Sequence, residues 1–173
     1  MHCVRVVAGT AKGRKLVAPK GLDVRPTTDR AREAIGNRLL SMGLLLDARV
    51  LDLFAGTGAL GIEALSRGAA HATFVDNAGP SLQAIEHNLE TLGFADRATV
   101  VRADAVTFRP AGPVDVAFVD PPYTWDKWPE LLDKLAARVV VCEARHPVEP
   151  PAGWELARSD RYGTTVITLL RAP

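Results

Sequence analysis

The sequence lacks an apolar run of the roughly 18 residues needed to span a bilayer, and its first residues lack the apolar stretch of a secretory signal. Cysteine is scarce. Cys3 and Cys142 each lie in an apolar, strand-like stretch, so we expect two buried or half-buried thiols and no disulfide. The four histidines form no H-x-x-x-H pair, so we expect no metal site. These absences lead us to expect a cytoplasmic protein with no membrane partner.

The chain has 173 residues, of which 47% are hydrophobic and 24% charged. This profile is typical of an ordinary globular domain that is large enough to bury a core. We expect a monomer, because no obvious apolar interface stripe is visible. We divide the chain into a basic β-hairpin extension, residues 1–24, and a main domain, residues 25–173.

The positive charge is concentrated at the start of the chain. Residues 1–38 contain nine Lys or Arg against three acids, a charge of +6, so the remainder carries −5 within the net +1. Such polarity predicts a basic face that meets a polyanion, although a solvated basic surface is the alternative. The cations that we expect to contact nucleic acid are Arg5, Lys12, Arg14, Lys15, Arg25, Arg30 and Arg32.

The main domain alternates strand and helix patterns from about residue 48. Strands are predicted at 50–54, 71–76, 98–102, 114–120 and 139–144, and helices at 59–67, 80–92 and 128–138. This order predicts a parallel sheet with helices on both faces. Strands at 154–158 and 164–170 have no helix between them and must pair antiparallel. We therefore predict a doubly wound α/β fold with a mostly parallel seven-stranded sheet.

The segment before this domain is predicted to hold two short strands and one helix. The strands, at 3–7 and 14–17, form a hairpin across a turn-rich connection. The helix begins after Thr27 or Thr28, either of which can cap it, and runs to about residue 40.

A glycine-rich loop, Gly56-Thr57-Gly58-Ala59-Leu60-Gly61, joins the first strand of the main domain to the helix that follows. Asp76 ends the next strand, twenty residues after Gly56. This spacing matches the dinucleotide fingerprint. The motif alone does not choose between a nicotinamide dinucleotide and S-adenosylmethionine (SAM).

Charge favours SAM. Asp52 precedes the loop on the strand that leads into it, where its carboxylate would repel a pyrophosphate and attract the sulfonium and ammonium of SAM. The alternative is a buried acid that caps the glycine turn. Asp76 is expected to accept from the ribose hydroxyls, Asp104 from the adenine amino group, and the Ala105 amide to donate to the ring, although Asp104 is alternatively a solvated loop residue. The expected cofactor residues are Asp52, Phe54, Gly56, Gly58, Asp76, Asn77, Asp104 and Ala105.

The tetrapeptide Asp120-Pro121-Pro122-Tyr123 follows a strongly apolar strand. Its prolines fix φ and remove two backbone donors, which leaves a row of acceptors suited to a planar amino group. Accepting the two hydrogens of that group would turn the nitrogen lone pair toward the methyl of SAM. Asp120 could also take the departing proton, and Tyr123 offers a face for an extruded base. We expect these four residues to be catalytic; a plain Pro-rich turn is the alternative.

These motifs together resemble the RsmD family of bacterial methyltransferases over nearly the whole chain. The matching segments are Gly9 to Leu16 with its Gly13-Arg14-Lys15-Leu16, residues 25–33, residues 51–61, residues 63–69 and the tetrapeptide. The resemblance implies a class I methyltransferase fold with an N-terminal hairpin that helps to hold RNA. It also implies methylation of a guanine N2 in 16S ribosomal RNA, within an assembled or assembling 30S particle. Gly36 departs from the family, which usually has a bulky aromatic there, and the segment between Tyr123 and Trp128 is short.

Three other functions remain open from the sequence. A DNA adenine or cytosine amino-methyltransferase would use the same tetrapeptide, but the chain has no inserted target-recognition domain. A nicotinamide-dependent oxidoreductase is supported only by the glycine fingerprint. A non-catalytic rRNA-binding assembly factor would retain a vestigial cofactor site.

Overall fold

The computed structural model describes residues 3–21 and 27–173. Its N-terminal hairpin consists of β1 (Val4–Arg5) and β2 (Lys15–Leu16), which pair antiparallel with Val4 opposite Leu16. Val4 and Leu16 are buried, whereas Arg5 and Lys15 on the other face are exposed. Both strands are shorter than predicted, and the proposed boundary at residue 24 lies outside the described residues.

A seven-stranded sheet forms the centre of the molecule. Its strands are β3 (Arg49–Leu53), β4 (His71–Asp76), β5 (Ala98–Arg102), β6 (Val114–Val119), β7 (Ala137–Ala144), β8 (Glu155–Tyr162) and β9 (Thr165–Arg171). The order across the sheet is β5-β4-β3-β6-β7-β9-β8. The five strands from β3 to β7 run parallel, and β9 pairs antiparallel with both β7 and β8. The predicted mostly parallel seven-stranded α/β fold is confirmed.

Four α-helices accompany the sheet: α1 (Asp29–Ser41), α2 (Ala59–Ser66), α3 (Gly79–Leu92) and α4 (Trp128–Lys134). The hydroxyl of Thr28 accepts from the Ala31 amide at 3.2 Å, so Thr28 and not Thr27 caps α1. Helix α4 ends four residues earlier than predicted, because β7 already begins at Ala137. β8 extends to Tyr162, beyond the predicted end at residue 158.

The strand order reverses direction at β3, which lies between β4 on one side and β6 on the other. The carboxyl ends of these parallel strands share one edge of the sheet. In open α/β sheets, ligands bind in the crevice beyond that edge at the reversal point. The fold therefore places the glycine loop after β3 beside the tetrapeptide after β6.

Gly61, the third glycine of the loop motif, allows α2 to pack against the sheet. A Cβ atom at this position would lie 2.3 Å from the Phe74 ring on β4. The glycine thus serves close packing of helix on strand, as the fingerprint requires.

One expectation about the cysteines was wrong: Cys3 is exposed because it precedes β1 at the surface. Cys142 is buried in β7, as expected, and burial raises the pKa of its thiol. Both are free thiols. Among the described residues, no helix has the length and apolarity to cross a membrane.

A buried carboxylate, Glu63 on α2, ties the hairpin to the main domain. Its two oxygens accept from the Val7 amide at 2.9 Å and the Ala8 amide at 3.0 Å. Arg67 donates to Oε1 at 3.0 Å, and Arg32 of α1 lies 3.5 Å from Oε2. One acid therefore satisfies donors from the hairpin, α1 and α2.

The buried position of Arg32 contradicts one prediction. Arg32 was expected to contact RNA, but its side chain is buried and bonds to Asp29, Glu63 and the carbonyl oxygens of Arg5 and Thr27. Its charge is neutralised inside the protein, so it is not available to a phosphate.

Gly36 on α1 is explained by its neighbour Arg67. A Cβ at Gly36 would lie 2.4 Å from Cζ of the Arg67 guanidinium. The missing side chain makes room for Arg67, which also donates to Asn37 at 2.9 Å. Arg67 Nη2 is buried and has no hydrogen-bond partner within the described residues.

We expect Glu63→Gln to destabilise the fold by about 3–5 kcal/mol, because it leaves the buried Arg67 guanidinium without its counter-charge and removes one of the two ion pairs of Arg32. Urea denaturation followed by circular dichroism measures the change. Glu33→Gln, at an exposed position on α1, is the matched control and should stay within about 0.5 kcal/mol of the wild type. A Glu63→Gln protein as stable as this control would contradict the anchoring role.

Candidate active site

A cavity of about 500 Å³ opens beyond the carboxyl ends of the parallel strands. Its size lies within the range typical of small-molecule sites. Residues from α1's N-terminal side, the glycine loop and the ends of β4, β6 and β7 line it. The lining residues with polar or catalytic potential are Thr27, Asp52, Thr57, Asp76, Asn77, Ser81, Asp104, Asp120, Tyr123 and Glu143.

The glycine loop bends sharply at the end of β3. Phe54, Gly56 and Gly58 all have positive φ, at 58°, 57° and 78°. Phe54 and Gly56 line the cavity as predicted. Gly58 does not: a Cβ there would meet Ile62, Phe74 and Ile85 at 3.3 Å, so it faces the core and serves as the N-cap of α2. Its positive φ favours glycine at this position.

Asp52 combines the two roles that the sequence left open. Its Oδ2 accepts from the Gly61 amide at 2.9 Å, so it holds the first turn of α2, and it also lines the cavity. Burial raises the pKa of Asp52 to about 8, with a smaller contribution from the charge of Asp76 and an opposing one from the Gly61 hydrogen bond. At neutral pH the group is therefore mostly protonated, and a cation in the cavity would favour its ionised form.

The Asp76 carboxylate is fixed at the end of β4. Its Oδ2 accepts from the Gly56 amide and its Oδ1 from the Ala78 amide, both at 2.9 Å. A carboxylate oxygen has a second lone pair, so each can still accept from a ligand hydroxyl. Asn77 follows directly and lines the same wall. The arrangement fits a ribose with two hydroxyl groups.

Asp104 and Ala105 lie after β5, at the far end of the cavity. Asp104 Oδ1 accepts from the Val106 amide at 2.9 Å and the Thr107 amide at 3.2 Å, which fixes the turn. Ala105 is buried. Asp104 therefore has a structural role in its own loop, and its Oδ2 is the oxygen that could reach an adenine amino group.

The tetrapeptide extends from the end of β6 into the cavity. Pro121 is buried, and the carbonyl of Pro122 accepts from the Trp125 amide at 2.9 Å. The Tyr123 hydroxyl lies 2.8 Å from Thr165 Oγ1 on β9, and the Arg145 guanidinium lies 4.6 Å from the centre of the Tyr123 ring. The tyrosine is thus held between β9 and the segment after β7.

Two residues that the sequence did not single out for catalysis meet Asp120. Thr27 Oγ1 lies 3.2 Å from Asp120 Oδ2 and 2.5 Å from Glu143 Oε2. Burial, followed by the charges of Glu143 and Asp52, raises the pKa of Asp120 well above its ordinary value, and the Thr27 hydrogen bond opposes the shift. The one available signal for Glu143 was an acid directly after the apolar run Val139 to Cys142, inside a predicted strand.

Three aromatic rings contact one another in a row that begins at Phe54 in the cavity wall. The Phe54 ring meets Trp125 edge to face at 5.2 Å, and Trp125 meets Trp128 at 5.0 Å. The row joins the glycine loop to the start of α4. Within the described residues, no group of three or more His, Cys, Asp or Glu side chains could hold a metal ion.

Five of the seven cations predicted to bind nucleic acid are exposed. Arg5 donates to the Gly13 carbonyl at 3.1 Å and Arg14 to the Thr91 carbonyl at 3.0 Å. Lys12, Lys15 and Arg30 are also exposed. Arg25 lies outside the described residues, and Arg32 is the buried exception described above.

Comparison with known proteins identifies relatives over nearly the full length. The family model described as "Conserved hypothetical protein 95" matches residues 4–171. The ribosomal RNA small subunit methyltransferase D of Escherichia coli K12 is 44% identical over 178 residues, which cover 96% of this chain and 88% of that protein. The protein of the same name from Haemophilus influenzae is 32% identical over 174 residues, covering 92% and 89%.

Solved structures agree. The Escherichia coli protein yhhF superposes with a TM-score of 0.84 and 37% identity, covering 99% of this chain and 98% of its own. A hypothetical protein of Thermus thermophilus superposes with a TM-score of 0.83 and 29% identity, covering 98% and 99%.

The protonated state of Asp52 predicts that a cationic cofactor releases a proton when it binds. We expect SAM binding near pH 7 to release up to about one proton, because the sulfonium favours the ionised form of a group with a pKa of about 8. Calorimetry in two buffers of different ionisation enthalpy measures this number. The Asp52→Asn variant should release less. Equal release from both proteins would show that Asp52 does not respond to the cofactor.

Proposed function

Because the chain belongs to the RsmD family, described as "Conserved hypothetical protein 95", we propose that it methylates the exocyclic N2 amino group of a guanine in 16S ribosomal RNA. Membership of the family supports the coarser statement that the chain is a SAM-dependent methyltransferase of small-subunit ribosomal RNA. The guanine N2, the 30S particle as substrate, the monomeric state and the cytoplasmic location belong to the proposal.

One observation carries the proposal. The glycine loop and the Asp120–Tyr123 tetrapeptide line the same cavity. A methyl donor on the first and an amino group on the second would meet there. Such positioning of two reactants can supply several orders of magnitude in rate.

The acidic residues that β3 and β4 contribute to the cavity suit the groups of SAM. Asp76 presents a fixed carboxylate to a ribose, and Asp52 presents a titratable acid to a cation. SAM, when bound, supplies an electrophilic methyl group on a sulfonium. The nicotinamide alternative loses its support, because the relatives are methyltransferases.

The tetrapeptide would hold the target amino group. Asp120 Oδ2 faces Thr27, and its Oδ1 has no hydrogen-bond partner within residues 3–21 and 27–173. Oδ1 and the Pro121 carbonyl would accept the two amino hydrogens, so the nitrogen lone pair points at the methyl group. Tyr123, held by Thr165, borders the base.

The exposed cations of the hairpin and α1 would bind the RNA backbone. Phosphate contacts from Lys12, Arg14, Lys15 and Arg30 position the substrate without reading its sequence. A basic face of this kind suits rRNA folded on a particle, where bases in loops are already unpaired and cost little to extrude.

The transfer is tested with tritiated SAM and 30S particles that lack the modification, beside naked 16S rRNA and duplex DNA. We expect label in the 30S rRNA and none in the DNA. Asp120→Ala should lower incorporation by roughly 10²-fold or more, because it removes both a positioning and a proton-accepting group. Asp126→Ala, at an exposed position three residues beyond the tetrapeptide, is the matched control.

Label in the duplex DNA and not in the particle would identify a DNA methyltransferase instead. An Asp120→Ala protein that transfers methyl groups as fast as the wild type would contradict the assigned site. No transfer by the wild type to any of the substrates, with particle assembly supported by the protein, would favour a non-catalytic assembly factor.

The basic face predicts a charge-reversal effect. Arg14→Glu combined with Lys15→Glu should lower rRNA methylation more than tenfold while the SAM affinity stays within about twofold of wild type, because the hairpin lies apart from the cofactor residues. The slope of log affinity against log salt should fall by about 1.4–1.8, the value for two lost phosphate contacts.

Arg49→Glu combined with Lys134→Glu makes the same charge change at the amino end of β3 and the end of α4, both exposed. This control should keep the wild-type salt slope. A control that loses as much rRNA affinity as the hairpin variant would mean that overall charge, not the hairpin, governs binding.

A further inference from the structure

The Thr27 hydroxyl is shared between two acids. It lies within hydrogen-bond distance of Glu143 Oε2, at 2.5 Å, and of Asp120 Oδ2, at 3.2 Å. Thr27 is 5% and Glu143 6% exposed, and all three side chains line the cavity. β6 and β7 are adjacent parallel strands that end at the same edge, which is why the two acids meet.

The number of hydrogens that Thr27, Asp120 and Glu143 can share bears on how many of the two acids are ionised. A threonine hydroxyl has one hydrogen to donate and can accept through its lone pairs. If both acids were ionised, one of the two oxygen–oxygen contacts would have no hydrogen between the atoms. When one carboxyl group holds a proton and donates it to Thr27, both contacts contain a hydrogen. Two carboxyl groups at one buried site commonly share a proton in this way.

The distances indicate which acid is ionised. An O–H···O⁻ bond to a charged acceptor is typically 2.5–2.7 Å, which matches the contact of Thr27 with Glu143. The longer contact is to Asp120, whose pKa is raised above its ordinary value by burial and by the Glu143 charge. The chain of hydrogen bonds therefore runs from the Asp120 acid to Thr27 and from Thr27 to the Glu143 carboxylate.

We propose that Thr27 and Glu143 form a proton relay behind Asp120, in which Glu143 is the final acceptor of the proton released on methylation. The relay rests on the proposed function, since it needs an amino nitrogen held at Asp120. Thr27 and Glu143 act through Asp120, so they are positioning residues in this relay.

The atoms and electrons of the step balance. The nitrogen lone pair forms the new bond to the methyl carbon, and the carbon–sulfur pair stays on sulfur, which becomes a neutral thioether. The N–H pair stays on nitrogen while its proton moves to Asp120. Asp120 passes its own proton to Thr27 Oγ1, and Thr27 passes its proton to Glu143 Oε2. Glu143 becomes neutral and returns the proton to solvent after product release.

Other charged groups surround the relay. Within the described residues, Asp52 and Asp76 lie on the cofactor wall, Tyr123 and Arg145 lie beyond β6 and β7, and the Arg32 guanidinium donates to the Thr27 carbonyl at 3.4 Å. Asp52 contributes to the raised pKa of Asp120. In its protonated form Asp120 cannot take up a second proton until it passes its own to Thr27, and the Glu143 carboxylate is the acceptor at the end of the chain.

The test measures the pH dependence of kcat for wild type and Glu143→Gln on undermethylated 30S particles, at saturating SAM, from about pH 6 to 9. The amide can hold Thr27 but cannot accept a proton. We expect a loss of roughly 10²-fold at low pH, within the range for general-base catalysis. The loss should shrink as pH rises, because Asp120 then ionises and accepts the proton directly.

Two further variants separate relay from structure. Thr27→Val should reproduce the loss because it breaks the chain, and Thr27→Ser should recover most of it. Glu130→Gln, at an exposed position on α4, should follow the wild type at every pH. SAM affinity and the urea midpoint of each variant check that the fold is kept.

A ratio of wild-type to Glu143→Gln rates that stays constant across this range, or equals one, would overturn the relay. In that case methylation by the wild type would still support the proposed function. Absence of methylation by the wild type would instead contradict the function itself, so the two failures are distinguishable.

Discussion

The buried Glu63 carboxylate is the interaction on which the arrangement depends. It binds the backbone of the hairpin through Val7 and Ala8, and its negative charge balances Arg32 and Arg67. Arg32 in turn donates to the carbonyl of Thr27. The same network that docks the basic hairpin therefore fixes Thr27 beside Asp120 and Glu143. Because a buried charge without its partner is costly, these elements keep one geometry, and the basic hairpin is held in a fixed position relative to the residues that we propose to be catalytic.

The parallel sheet supplies the second condition for the site. Adjacent parallel strands end at one edge, so Asp52, Asp76, Asp120 and Glu143, from four strands, come together although up to 91 positions separate them. Burial, and to a smaller extent the charges of the neighbouring acids, raises the pKa of Asp52 and of Asp120. A cationic cofactor and a proton-releasing reaction both suit such a site, since one stabilises the ionised acids and the other uses them.

The sequence predicted the bounds of those strands that local residue patterns determine. β4 and β5 match their predicted bounds, because alternating apolar residues and glycine or proline signals mark them. The end of α4 was missed, since residues 135–138 carry no stop signal and β7 begins there by pairing with β6 and β9. Arg32 was misplaced because charge does not reveal burial: its partner Glu63 lies 31 positions away. Thr27 and Glu143, 116 positions apart, form their contact only in the folded chain.

The central claim is that the tetrapeptide presents a guanine N2 to the methyl donor. The most direct measurement is to methylate 30S particles lacking the modification with isotopically labelled SAM, digest the rRNA to nucleosides and identify the labelled product by mass spectrometry. The account predicts N2-methylguanosine as the labelled nucleoside. Label in any other nucleoside, such as a methylated adenosine or cytidine, would contradict it.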